Sequence, residues 1–272
     1  MGRKVYFISG LPRAGSTVLS AILKQNPKFT AGMTSPVASL IMALQREMSG
    51  GSDFSVFFDD QRRSAVLKSV FESYYAGTQG SDAVFDTNRT WTARASLLGW
   101  LYPDCRIICC VREVSAIVDS FERMLRKNPL QLPRIFNAKT GSTIYSRAEA
   151  LMSWENGLIG LAWSGFREAW FSEEARRLIV IDYERLASQP QAVMRQLYRE
   201  LGEEWFPHDF DHVEYDEPDY DAHIGMPGLH RVRRRVCFEK RESTIPPDLL
   251  NKYAGLNFWT KPEMNPKNVI IL

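Results

Sequence analysis

The chain has 272 residues, 44% of them hydrophobic and 24% charged. That length admits one large domain or two small ones, and the composition is that of an ordinary globular protein whose core needs no metal or disulfide staple. Thirty-four Lys and Arg stand against thirty-two Asp and Glu, a net charge of +2. Such a balance excludes a strong sequence-blind attraction to nucleic acid or anionic membrane and leaves only local basic sites open.

In chain order, Val5–Ser9 reads as a buried strand, and its apolar run is too short for a secretory signal. Met1-Gly2 is followed by Tyr6 where a myristoylation signal needs Ser or Thr. Ser16–Gln25 predicts a helix stopped by Asn26-Pro27. Phe29 to Gln45, the longest uncharged stretch, is too short and polar to span a bilayer. Pro36–Met48 and Val56–Tyr75 predict helices separated by Ser49-Gly50-Gly51-Ser52. Val84–Asp86 is a short strand, and Thr92–Leu101 a helix ended by Tyr102-Pro103. Arg106–Val111 fits a strand buried on both faces. Val114–Lys127 predicts a helix, Asn128–Tyr145 a long loop suited to a lid or substrate wall, and Arg147–Phe171 one long helix. Leu178–Asp182 is a further strand, followed by helix Gln191–Leu201 closed by Gly202. Beyond it, Glu203–Asp221 is acidic and irregular, and Arg231–Arg241 strongly basic. Alternating strands and helices predict a single α/β domain over residues 1–272, with a central parallel sheet flanked by helices. No linker separates the tail, residues 203–272, from it.

Cys105, Cys109, Cys110 and Cys237 lack metal-finger spacing and read as thiols of a cytoplasmic protein. His208-Asp209-Phe210-Asp211-His212 has metal-like spacing but no helical pattern to align its histidines, so it reads as a solvated loop and no metal is expected.

The clearest motif is Gly10-Leu11-Pro12-Arg13-Ala14-Gly15-Ser16-Thr17, between the first strand and the first helix. Backbone N–H groups there can cradle an anion at a helix N-terminus. The glycine spacing is that of a Walker A loop, but Ser16 stands where a nucleotide kinase has lysine, and the cation sits inside the loop as Arg13. The alternative reading is a plain glycine turn. Arg112 ends the Arg106–Val111 strand and Ser120 lies eight residues on, a forked cation and a hydroxyl that suit a phosphate dianion. Taken alone, such a pair is better explained by a surface salt bridge.

Pro12 to Thr17 resembles the 5′-phosphosulfate loop of sulfotransferases, which use 3′-phosphoadenosine 5′-phosphosulfate (PAPS). The resemblance, to a bacterial-type soluble member, runs from about Val5 to Trp259. It implies a P-loop-NTPase-like fold, PAPS as co-substrate, and no metal. It places Pro12, Arg13, Ala14, Gly15, Ser16 and Thr17 on the 5′ end, with Arg112 and Ser120 on the 3′-phosphate. Tyr183 would touch the nucleotide, and residues 203–272 would close over it through Leu229, His230, Arg231 and Val232. The remaining arginines of the basic segment can balance the acidic stretch before them.

In-line sulfuryl transfer to a hydroxyl or amine needs charge stabilisation, for which Arg13 is the catalytic candidate, and a general base. The histidine that some branches place after the third strand is replaced here by Asn88, and the glutamate that others place after the second strand is absent from 31–36. Asp86 and His230 are the remaining candidates. Asp86 serves equally well as a helix cap or an ion-pair partner of Arg89, and His230 as a nucleotide contact. The acceptor is a small molecule or a peptide; neither nucleic-acid binding nor membrane insertion is expected. Two other readings stay open: a degenerate P-loop phosphotransferase using ATP and magnesium, and a non-catalytic nucleotide-binding protein.

Overall fold

The computed structural model describes residues 3–78, 81–127, 129–130 and 133–272. Met1 and Gly2 lie outside the described residues, as do Asn128, Gln131 and Leu132 of the expected loop. The core is one parallel sheet of β1 (Lys4–Gly10), β2 (Phe29–Ala31), β3 (Ala83–Thr87), β4 (Ile107–Val111), β5 (Leu178–Asp182) and β6 (Ile270–Ile271). Their order is β2-β3-β1-β4-β5-β6. β1 pairs with β3 in register Phe7↔Asp86 and with β4 in register Gly10↔Cys110. Strands covered by helices on both faces must be apolar throughout, and β4 is fully buried along its length. Cys109 and Cys110 have no exposure, and burial pushes the Cys110 thiol up to about 12, which leaves it an inert core residue.

The helices are α1 (Ser16–Leu23), α2 (Val37–Glu47), α3 (Asp60–Tyr74), α4 (Ala95–Leu101), α5 (Val114–Lys127), α6 (Ile144–Met152), α7 (Leu158–Phe171), α8 (Tyr183–Ser188), α9 (Pro190–Leu201), α10 (Pro218–His223) and α11 (Pro247–Ala254). Most follow the expected pattern, α5 to the residue. Two depart from it. The helix expected from Val56 starts only at α3, because Asp59 caps it by accepting from the Arg62 N–H at 2.7 Å; a short 3₁₀ turn, Asp53–Phe57, precedes it. The single helix expected over Arg147–Phe171 is two. α6 ends at Met152, and Gly157 and Gly160 let α7 turn back against the last carbonyls of α6. A Cβ at either glycine would collide with that backbone. Among the described residues, no helix is long and apolar enough to cross a membrane.

Asp86 on β3 corrects a sequence-based expectation. It has no exposure and its carboxylate is filled by three donors: Ser35 Oγ at 2.6 Å, Tyr75 OH at 2.7 Å and Trp91 Nε1 at 2.7 Å. It is neither a helix cap nor a partner of Arg89. Burial raises its pKa, and those three donors offset the rise only in part. The group ties β3 to α3 and to the core tryptophan, so Asp86→Asn is expected to cost about 1.5–3 kcal/mol of stability, the value of one hydrogen bond to a charged group. Turnover per folded molecule should stay within a few-fold of wild type. Denaturant titration alongside an activity assay checks this; unchanged stability with a hundredfold slower rate would restore Asp86 as the base.

His208 and His212 face apart in function. His208 Nε2 meets Tyr198 OH at 2.9 Å, while His212 Nδ1 pairs with Asp209 at 2.8 Å. Burial pushes the His208 pKa down to about 4. Between pH 4 and the ordinary value near 6.5 the unfolded chain therefore binds a proton that the folded chain refuses. Stability is full above that window and falls as pH drops through it. His208→Gln should flatten this part of the pH–stability curve, measured as denaturation midpoints at several pH values; parallel curves for the two proteins would refute it.

Candidate active site

Because β1 lies between β3 and β4, the loops after these three strands meet at one edge of the sheet, the carboxyl edge where open α/β folds collect ligands. A cavity of about 1540 Å³ opens there. Gly10 (φ 100°) sits so close to the Cys110 backbone that a Cβ would collide with it, which lets β1 run tightly against β4 into the turn. Arg13 takes a left-handed φ of 60° and Gly15, capping α1, one of 92°. A non-glycine residue in that region is uncommon and marks a built turn.

Pro12, Arg13, Gly15, Ser16 and Thr17 line the cavity, whereas Ala14 is fully buried beneath the loop. Arg13 donates through Nε to Ser120 Oγ at 3.2 Å and through Nη1 to the Leu229 carbonyl. Residues some 107 and 216 positions apart in the chain thus meet at one guanidinium. Burial, then the neighbouring Arg112, lowers the Arg13 pKa. Two like charges held together in a cleft favour an anion between them.

Arg112 lies with its guanidinium carbon 4.6 Å from the Tyr183 ring centroid. Tyr183 in turn packs on the phosphate loop: a Cβ on Gly15 would stand 2.8 Å from Tyr183 Cδ2. Among the described residues the buried Arg112 Nε has no hydrogen-bond partner. A buried charged donor without an acceptor is costly, and an anion in the cavity would supply one. Arg13, Arg112 and Ser120 thus gather at the mouth of the turn that opens α1, a set of donors suited to anionic groups.

The tail supplies the opposite wall. Leu229, His230, Arg231 and Val232 all line the cavity. The acidic and basic segments pair along their length: Val213 N–H donates to the Arg234 carbonyl at 2.7 Å, Val232 N–H to Tyr215 at 2.9 Å and Val236 N–H to Phe210 at 2.8 Å. Arg235 pairs with Asp211 at 2.9 Å, and Arg233 and Arg241 with Glu239 at 2.6 and 2.8 Å. These exposed pairs contribute little energy each but engage Arg233, Arg235 and Arg241 of the segment.

Sequence reasoning missed Asp221. It is fully buried in α10. One carboxylate oxygen accepts from the His230 N–H at 2.8 Å and the other meets His230 Nδ1 at 2.5 Å. Engaging Nδ1 fixes the tautomer and leaves Nε2 as the nitrogen available to the cavity. No spacing rule links residues 221 and 230; only the tail's folding brings them together. Tyr74 of α3 lines the cavity, whereas Phe54 and Phe57 are exposed. Among the described residues no cluster of three or more His, Cys, Asp or Glu could hold a metal ion.

Comparison with known proteins places these features. The model of the Sulfotransferase family matches residues 6–207. The chain is 27% identical to the nodulation protein NoeE of Sinorhizobium fredii, over 73% of this chain and 50% of that protein. It is 26% identical to protein-tyrosine sulfotransferase 1 of Danio rerio, over 73% and 53%. The chain thus spans about half the length of these two relatives. Among solved structures, the sulfotransferase domain from the curacin biosynthetic pathway covers 94% of this chain and 97% of its own at a TM-score of 0.51 and 17% identity. A sulfotransferase from Mycobacterium avium covers 95% and 76% at 0.51 and 14%. At those identities the likeness is one of fold.

Proposed function

The chain belongs to the sulfotransferase family, and from that premise we propose that it transfers a sulfuryl group from PAPS to a hydroxyl or amine of its acceptor. The observation that carries the reading is the pair of anion-seeking groups in one cavity, Arg13 in its left-handed turn and the unpartnered Arg112 Nε. PAPS supplies an activated sulfuryl group on a 5′-phosphate and a second phosphate at the 3′ position. Arg13, the loop N–H groups, Ser16 and Thr17 hold the 5′ end and stabilise the charge that grows on the bridging oxygen. Arg112 and Ser120 hold the 3′-phosphate, and Tyr183 packs beneath the nucleotide. The tail, through Leu229, Arg231 and Val232, closes over it. His230, oriented by Asp221, takes the acceptor's proton through Nε2.

Turnover of labelled PAPS against a panel of phenol, alcohol and amine acceptors, with and without EDTA, tests the reading. Transfer that survives chelation supports it. Transfer only from ATP, lost on chelation and restored by magnesium, would identify a phosphotransferase instead.

The 3′-phosphate assignment has its own check. Arg112→Ala should weaken adenosine 3′,5′-bisphosphate (PAP) by about ten- to a hundredfold, with a smaller loss for Ser120→Ala. Adenosine 5′-monophosphate, which lacks the 3′ group, should hardly change. Calorimetric titration of both nucleotides decides it; equal weakening of the two would remove Arg112 from the 3′ site.

A further inference from the structure

Besides Arg13 and Arg112, the cavity wall carries Arg89. Arg89 lies in the turn after β3, and that turn is pinned on both sides. Asn88 N–H donates to the Ile8 carbonyl at 2.9 Å, and Asn88 Oδ1 accepts from Thr90 N–H at 3.1 Å and Thr90 Oγ1 at 2.8 Å. Arg89 itself lines the cavity. Among the described residues no carboxylate pairs with its guanidinium. The carboxylates on the same walls are engaged elsewhere: Glu217 accepts from Tyr215 OH at 2.9 Å and Glu239 bridges Arg233 and Arg241. Asp86, three residues before it, is turned into the core. Its side chain is exposed, while the protein packed around it lowers its pKa.

The strand order says which substrate this cation faces. β1 carries the phosphate loop, β4 carries Arg112 on one side of it, and β3 carries Arg89 on the other. A nucleotide stretched from the loop to Arg112 runs toward β4 and leaves Arg89 on the acceptor side. That side is otherwise lined by Met33, Met42 and Tyr74. Tyr220 lines the same cavity, and its ring stands edge-on to His230, with centroids 5.6 Å apart.

We infer that Arg89 anchors an anionic group, a carboxylate, sulfate or phosphate, on a small-molecule acceptor, and so presents a neighbouring hydroxyl to His230. The inference rests on the sulfotransfer reading above. An exposed guanidinium on a cavity wall can pair with an anion through two parallel N–H donors. The thioether and aromatic side chains beside it suit the acceptor's apolar body.

The test is calorimetric binding to protein saturated with PAP. The probes are para-hydroxybenzoate, para-hydroxyphenylacetate and para-hydroxyphenylpropionate, each against its neutral amide, so that the distance from anion to hydroxyl is scanned. At least one carboxylate should bind wild type about ten- to a hundredfold tighter than its amide. Arg89→Gln should abolish that preference and Arg89→Lys retain part of it, with PAP affinity unchanged in both. No preference within any of the three pairs would overturn the inference. So would a loss of PAP affinity in Arg89→Gln, which would assign Arg89 to the donor. Failure of wild type to bind PAP at all is a separate result, since it would sink the sulfotransfer reading itself.

Discussion

Arg13→Ala should slow sulfuryl transfer by about two to three orders of magnitude, the cost of removing one preorganised donor from a developing charge. The side chain is held before any ligand arrives. Its left-handed backbone, the Ser120 hydroxyl and the Leu229 carbonyl fix where the guanidinium points. Preorganisation of this kind is what makes the loss fall on the rate. PAP should bind less tightly, but by much less than the rate falls, because the loop N–H groups and Arg112 remain. The mutation should not destabilise the fold. Arg13 and Arg112 repel each other in a partly desolvated cleft, so its removal relieves a like-charge contact. Arg13→Lys should not rescue, since an ammonium cannot engage Ser120 and the Leu229 carbonyl while facing a ligand with the same fork. Steady-state kinetics, PAP calorimetry and a thermal melt cover all three points. A near-normal rate in Arg13→Ala would remove the residue from the chemistry.

His230→Ala should lower the rate by about a hundred- to ten-thousandfold with PAP affinity little changed. Asp221 acts through it as a positioning residue. Asp221→Asn keeps a buried polar group of the same size, yet its amide can present N–H where the imidazole needs an acceptor, which turns the ring to the wrong tautomer. The loss should therefore appear in kcat and not in nucleotide binding. A purely structural role would not predict two further results. Added imidazole should restore part of the His230→Ala rate, and should do nothing for Asp221→Asn, whose pocket is still filled by His230. If His230→Ala instead weakens PAP as much as it slows turnover, the residue is a nucleotide contact and the acceptor supplies its own base.

Much of the fold is written locally. The unbroken apolar runs of β1, β4 and β5 can only be strands covered on both faces. The amphipathic repeat of α5, and Gly202 with its φ of 66°, mark helix bounds without outside help. The phosphate loop is equally local, since its turn, its glycines and its cation lie within eight consecutive residues. Shorter or context-bound elements are not legible in this way. β2 and β6 have three and two residues, too few for any period to register, and they are strands only because β3 and β5 offer free edges. The break between α6 and α7 depends on helix ends approaching each other, which glycines permit but do not announce.

The division is sharpest among the charged side chains. By itself the sequence marked Arg13 after the first strand and Arg112 after a later buried strand as candidate anion ligands, because each is carried by a single turn at the end of a single strand. Charge and pattern could not say which acid met which base. Asp86, Asp221 and Arg89 look alike in a sequence, each a charged residue near a turn. Tertiary packing gave Asp86 three donors and no exposure, placed Asp221 behind His230, and set Arg89 on the cavity wall, where no carboxylate among the described residues pairs with it. The physical reason is that a side chain's protonation, reach and solvent contact are set by neighbours tens or hundreds of residues away, and those neighbours exist only once the sheet order and the path of the tail are settled.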